Sequence, residues 1–216
     1  MQKVFVARVD RKDDQSGDKI GWMSNMINDP ALVIVDFQLD FCKKYSEEVN
    51  GFVEDPIHQS AIDATAKFLK RYRESGRTPI FVGANHSEKT VSRPLFEKYE
   101  RIGKWFCRPG TEGAEFAPEL EVGEEDIIVI KHRYSGFHNT DLDDYLRSSG
   151  ITDVLFAGCA TNVCVATTLY DAYDNGYDVT LLSDCSSTDL PELQELTEKN
   201  VESKFGKVCK STEIKL

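Results

Sequence analysis

The chain has 216 residues, 40% of them hydrophobic and 29% charged, long enough to bury a sizeable core in one domain. Its formal charge of −11 argues against the basic stripe of a nucleic-acid binder, and no run reaches the roughly eighteen apolar residues of a membrane span. Six cysteines with no CxxC pair, and an N-terminus that turns charged after a short apolar stretch, point to reduced thiols in a cytoplasmic protein, not to a disulfide framework, a structural zinc site or an export signal.

The first thirty residues fit no βα unit and read as an N-terminal arm (1–30), with the apolar "VFVARV" as a contact element. A strand, "ALVIVDF" (31–37), is apolar on both faces, as a doubly covered parallel strand should be. The next segment, "AIDATAKFLKRYRESG" (61–76), places Ile62, Ala66, Leu69 and Tyr72 at helical spacing and ends in glycine. Further strands are predicted at "TPIFVGA" (78–84) and "DIIVIK" (126–131). Between them, 85–122 breaks the rhythm and reads as a long connection with at most one helix, the kind of segment that tends to be functional. A helix with a threonine cap is predicted in "TDLDDYLRSSG" (140–150) and a strand in "DVLFAG" (153–158). A helix over "NVCVATTLYDAYDNG" (162–176), a strand "DVTLLSD" (178–184), a helix "LQELTEKNVESKFG" (193–206) and a short strand "KVCKS" (207–211) complete the chain. Six strands separated by helices predict a three-layer α/β/α fold with a six-stranded, mainly parallel, Rossmann-like sheet.

In an open parallel sheet, chemistry collects at the carboxyl ends of the strands. Asp36 ends the first strand, Lys131 ends the third, and Cys164 falls in the first turn of the helix after the fourth. A helix N-terminus lowers a thiol's pKa, a nearby lysine helps hold a thiolate, and an aspartate can take the thiol proton and deliver it to a leaving amine. Each residue alone is more often a turn, surface or packing residue. Their placement at three strand ends of one fold is what points to function. Cys159, inside "GCAT", is the competing nucleophile, and its expected role is packing in the tight turn after Gly158.

The segments "ALVIVDFQLDF", "PGTEGAEFAPEL", "IKHRYSGFHNTDLDDYL" and "GCATNVCVATTLYDAYDNGYDVTLLSDC" resemble the isochorismatase-like cysteine hydrolases over roughly residues 31–188. The resemblance implies one such domain over 31–216. It implies Asp36 as general base and acid, Lys131 as electrostatic partner and Cys164 as nucleophile. It also implies a cis peptide between Cys159 and Ala160, and an oxyanion hole made by the N–H groups of Ala160 and Cys164. Oligomers, a dimer or tetramer, are implied as well. Where nicotinamidases of this superfamily carry an Asp-x-His metal motif, this chain has Ala84, Asn85 and His86, so neither metal nor cofactor is expected. True isochorismatases lack the nucleophilic cysteine, so Cys164 argues against their chemistry.

The expected activity is hydrolysis of a C–N bond in a small amide or ureido substrate through an acyl-enzyme on Cys164. The alternatives are a nicotinamidase, an isochorismatase-type hydrolase and a non-catalytic member of the fold. Arg93, Arg108, Arg133, His86 and His138 are candidates for gripping a substrate carboxylate, and Phe37, Trp105 and Phe137 for walling the pocket. No nucleic-acid or membrane partner is expected.

Overall fold

The computed structural model describes residues 29–216, and the predicted N-terminal arm, with its "VFVARV" segment, lies almost wholly outside them. β1 (Ala31–Val35) is followed by a helical turn α1 (Leu39–Cys42) and a two-stranded antiparallel hairpin, β2 (Lys43–Ser46) and β3 (Gly51–Glu54). Then come α2 (Pro56–Glu74), β4 (Ile80–Ala84), α3 (Arg93–Ile102), β5 (Ile127–Lys131) and α4 (Leu142–Ser148). β6 (Asp153–Cys159), α5 (Ala166–Asp174), β7 (Asp178–Ser187), α6 (Pro191–Lys204) and β8 (Lys207–Cys209) end the chain. The main sheet has six strands in the order β5-β4-β1-β6-β7-β8, and every described pairing within it is parallel.

The sheet is covered on both faces, which is why its central strands read as continuous apolar runs. Alternate residues of β1 divide between two cores. Ala31, Val33 and Val35 pack with Leu146, Leu169 and Val201 of α4, α5 and α6. Leu32 and Ile34 pack with Phe68, Leu69 and Tyr72 of α2. No described helix is long and apolar enough to cross a membrane.

Several predicted boundaries move. α2 starts at Pro56, because the Asp55 carboxylate caps it by accepting from the Ile57 N–H at 3.1 Å and proline suits the first turn. The hairpin was not anticipated, since its half-buried, charged strands lack an apolar repeat. α4 begins after Asp141, whose side chain makes no capping bond; the expected threonine contributes instead, Thr140 Oγ1 accepting from the Leu142 N–H at 3.4 Å while donating to the Gly136 carbonyl.

The chain runs outward from β1 through β4 to β5, then crosses to the other side of β1 at β6. The strand order therefore reverses between β1 and β6, where open α/β sheets bind ligands at their carboxyl ends. Gly158 allows the close approach there. Its φ is +133°, and a Cβ would stand 2.0 Å from the Val35 carbonyl oxygen.

Candidate active site

Asp36 follows β1 directly and takes a left-handed φ of 54°, its N–H donating to the Val82 carbonyl at 2.8 Å. A non-glycine residue is uncommon there, and such strain clusters at functional sites. Lys131 ends β5, in register with Ala84 of β4. Since β4 separates β5 from β1, the lysine side chain crosses the end of β4 to reach Asp36, Nζ to Oδ2 at 2.7 Å. Both residues are essentially inaccessible to solvent, at 0% and 1% exposure. The ammonium is steadied by donating to the Arg133 carbonyl at 3.0 Å.

Cys164 completes the group, its thiol close enough to Asp36 and Lys131 for each to bear on its ionisation. It does not sit in the first turn of an α-helix as expected. Residues Thr161–Val165 form a π-helical turn that leads into α5, a local departure that often marks functional sites. The peptide bond between Cys159 and Ala160 is cis. Among the described residues the Ala160 N–H has no intramolecular acceptor. Cys159 is turned away from the group, donating its thiol to the Asp36 carbonyl at 3.0 Å, and packs in the core on the α2 side.

Burial raises the Asp36 carboxyl above its ordinary range, opposed by the facing ammonium. Burial alone would lower Lys131, but Asp36 and Cys164 more than offset it and the net direction is up. The Cys164 thiol is pushed well above the usual range by burial and then by the Asp36 charge. This corrects the expectation of a thiolate held by helix field and lysine. The thiol faces the Asp36 carboxylate, which is placed to take its proton.

A cavity of about 350 Å³ opens above Cys164. Its walls come largely from segments that sequence periodicity left unassigned. Phe41 and Phe106 stack at 5.7 Å between centroids, with His86 and Tyr99 beside them. Asp40 anchors this wall by accepting from the Cys107 N–H at 2.7 Å, and a Cβ on Gly113 would overlap its carboxylate. Gln38 clamps the same region to β4. Its Nε2 donates to the Ala84 carbonyl at 2.9 Å and the Ala114 carbonyl at 2.6 Å, while its Oε1 accepts from the Ala84 N–H at 2.7 Å. The "VDFQ" stretch was the available signal for Gln38; nothing comparable marked Tyr99 or Lys98.

Of the eight residues expected to grip or wall the substrate, seven do not line this cavity. Phe37 follows Asp36 and points the opposite way, wholly into the α2-side core. Trp105 stands one layer back, packed on Tyr99 at 5.2 Å and donating to Glu100. Arg93 is exposed and paired with Glu97. Phe137 packs on Tyr177, and exposed His138 meets the Asn139 side chain at 3.3 Å. Arg108 pairs with Glu88. Of the sequence candidates for gripping a carboxylate, only His86 lines the cavity.

His86 Nδ1 shares a 2.8 Å hydrogen bond with the Tyr99 hydroxyl, and the side chain is buried. Ala84, at the position of the expected metal carboxylate, is a core residue, and among the described residues no three His, Cys, Asp or Glu side chains converge as metal ligands. Burial, and then the Lys131 ammonium, lower the imidazole from 6.5 to about 4. A base depressed on folding contributes stability that is full above 6.5 and lost as the pH falls towards 4, here about 3 kcal/mol. Urea unfolding at neutral pH and near pH 4 is expected to show that loss, and His86→Gln to reduce it by about the same amount. An unchanged pH dependence in the variant would contradict the assignment.

Comparison with known proteins shows the family and the fold. An isochorismatase domain model matches residues 30–213. A ureidoacrylate amidohydrolase of Methylorubrum extorquens is 48% identical over 191 residues, covering 82% of this chain and 77% of its own. Among solved structures, an isochorismatase-like hydrolase from Alkaliphilus metalliredigens is 30% identical with a TM-score of 0.72, covering 85% of this chain and 95% of its own. An N-carbamoylsarcosine amidase from Thermoplasma acidophilum is 26% identical with a TM-score of 0.70, covering 87% and 99%.

Proposed function

The chain belongs to the isochorismatase family of hydrolases, and from that premise we propose that it is a cysteine amidohydrolase acting on a small amide or ureido compound that carries a carboxylate. The observation that carries the reading is the buried Asp36–Lys131 ion pair with the Cys164 thiol beside it. As Cys164 Sγ attacks the carbonyl carbon, its proton passes to Asp36, and Lys131 balances the charge nearby. The oxygen of the tetrahedral intermediate rests on the N–H groups of Ala160 and Cys164, stabilisation that is usually the largest single contribution in acyl transfer. Asp36 then protonates the leaving nitrogen as the C–N bond breaks, leaving a thioester. Water attacks that thioester, giving one proton to Asp36, which returns it to the departing sulfur. For a ureido substrate the group carried on sulfur is carbamoyl.

The substrate class follows from the ureidoacrylate amidohydrolase and N-carbamoylsarcosine amidase relatives, whose names both denote ureido acids. The test measures ammonia release and kcat/KM at neutral pH for ureido acids, N-carbamoyl amino acids, maleamate and nicotinamide. At least one anionic compound is expected to exceed nicotinamide by about tenfold or more, since a pyridine nitrogen entering without a partner forfeits roughly 1–3 kcal/mol. Nicotinamide turning over fastest would overturn the substrate class, and no turnover of any amide would overturn the reading.

A further inference from the structure

Beside the catalytic cavity lies a second one of about 340 Å³, between α3 and the loop after β5. Its charged lining is Lys98, Arg101 and Arg133, with no acidic side chain. Leu95, Lys98 and Arg101 recur at three-residue spacing, which puts them on one face of α3. Among the described residues none of the three cations has an ion-pair partner, and the Arg133 guanidinium donates only to the carbonyls of Thr90 and His132. Five other arginines of the chain are paired with carboxylates. In a chain of net charge −11, three like charges left uncompensated around one concavity repel one another and attract an anion.

Lys98 and Tyr134 line both cavities, so the two meet at these side chains. The catalytic cavity is itself polarised. Asp40, Asp55 and Asp189 stand in its lining together with Lys43 and His58, whereas Lys98 is the cation on the α3 side. Lys43 is already engaged by Glu119 and Gln59. A ligand with N–H donors at one end and negative charge at the other is oriented by that field, with its anionic end towards α3.

We infer that the α3 cavity is an anion subsite that receives the carboxylate end of the substrate, with Lys98 as the contact nearest Cys164 and Arg101 and Arg133 behind it. This rests on the amidohydrolase reading for the identity of the ligand, but the subsite is testable without turnover. The variant is Lys98→Gln/Arg101→Gln, which removes no described hydrogen bond or ion pair. Its control is Lys204→Gln/Lys207→Gln, the same charge change on α6 and β8. Two quantities are measured: calorimetric affinity for maleate, a dianion that cannot be hydrolysed, and the ratio of kcat/KM for maleamate to that for its neutral methyl ester. In the α3 variant, maleate affinity and the ratio are each expected to fall by about tenfold or more, the scale of a lost charge-assisted hydrogen bond. The control is expected to leave both unchanged, and in the wild type added salt should weaken maleate binding. Maleate affinity unaltered in the α3 variant, or equal losses in variant and control, would overturn the subsite. Should the wild type hydrolyse no amide, the amidohydrolase reading fails while the maleate titration still decides the subsite.

Discussion

Replacing Cys164 with alanine is expected to reduce kcat by on the order of 10⁴-fold or more, because residues that act as a unit lose nearly all catalysis when the nucleophile is removed. The fold should survive. The residue lies in a helical turn beside α5, alanine suits that position, and the lost sulfur removes only a small buried surface, a cost of about 1 kcal/mol. Cys159→Ala is the informative contrast. That thiol donates to the Asp36 carbonyl and faces the core, so its loss should cost stability and leave measurable turnover. Intact-mass spectrometry of quenched wild-type reactions should show one acyl adduct, on a peptide containing Cys164. An active Cys164→Ala together with an inactive Cys159→Ala would reverse the assignment of the nucleophile.

Asp36→Asn and Lys131→Met should each lower kcat/KM by on the order of 10³-fold, and each should also destabilise the protein. Removing one member of a buried ion pair leaves the other charge without compensation, at a cost of about 3–5 kcal/mol. For a chain of this size that is a Tm lower by roughly 2–4 °C per kcal/mol. The two variants are distinguishable by pH. Without the ammonium, the carboxyl of Asp36, already raised by burial, rises further, so residual activity of Lys131→Met should recover only towards higher pH. Asp36→Asn has no carboxylate to titrate and should lack that recovery. The double variant Asp36→Asn/Lys131→Met should regain most of the lost stability and none of the activity, since it leaves no unpaired charge but no base either. Calorimetry and pH–rate profiles check both; a double variant whose loss of stability equals the sum of the two single losses would show that the pair is not energetically coupled.

The sheet was legible because burial on both faces leaves a mark that a short window can read. β1, β4, β6 and β7 are apolar runs, and the helices between them carry a 3.6-residue repeat ending in turn residues. Strand ends then named Asp36, Lys131 and Cys164 as residues to watch, since chemistry in such sheets gathers there. The hairpin β2–β3, the early start of α2 and the π-helical turn were not legible. Each depends on pairing or capping contacts that no apolar period encodes.

What the amino-acid sequence determined by itself is therefore the layered α/β fold, the family likeness and the short list of reactive side chains. What only the tertiary structure decided is how those side chains meet and what surrounds them. Lys131 reaches Asp36 by crossing the end of an intervening strand, a direction that strand order sets and local pattern does not. Phe37 points away from the cavity and Phe41 into it, although both stand in the same stretch, because the chain turns between them at α1. Lys98, on a helix predicted only as part of a long connection, enters the cavity wall because α3 docks beside the loop after β5. The direction of the Cys164 pKa shift was set there too. Sequence position suggested a lowered thiol pKa, but near-complete burial beside a carboxylate raises it, and desolvation is a sum over every neighbour that packing brings near.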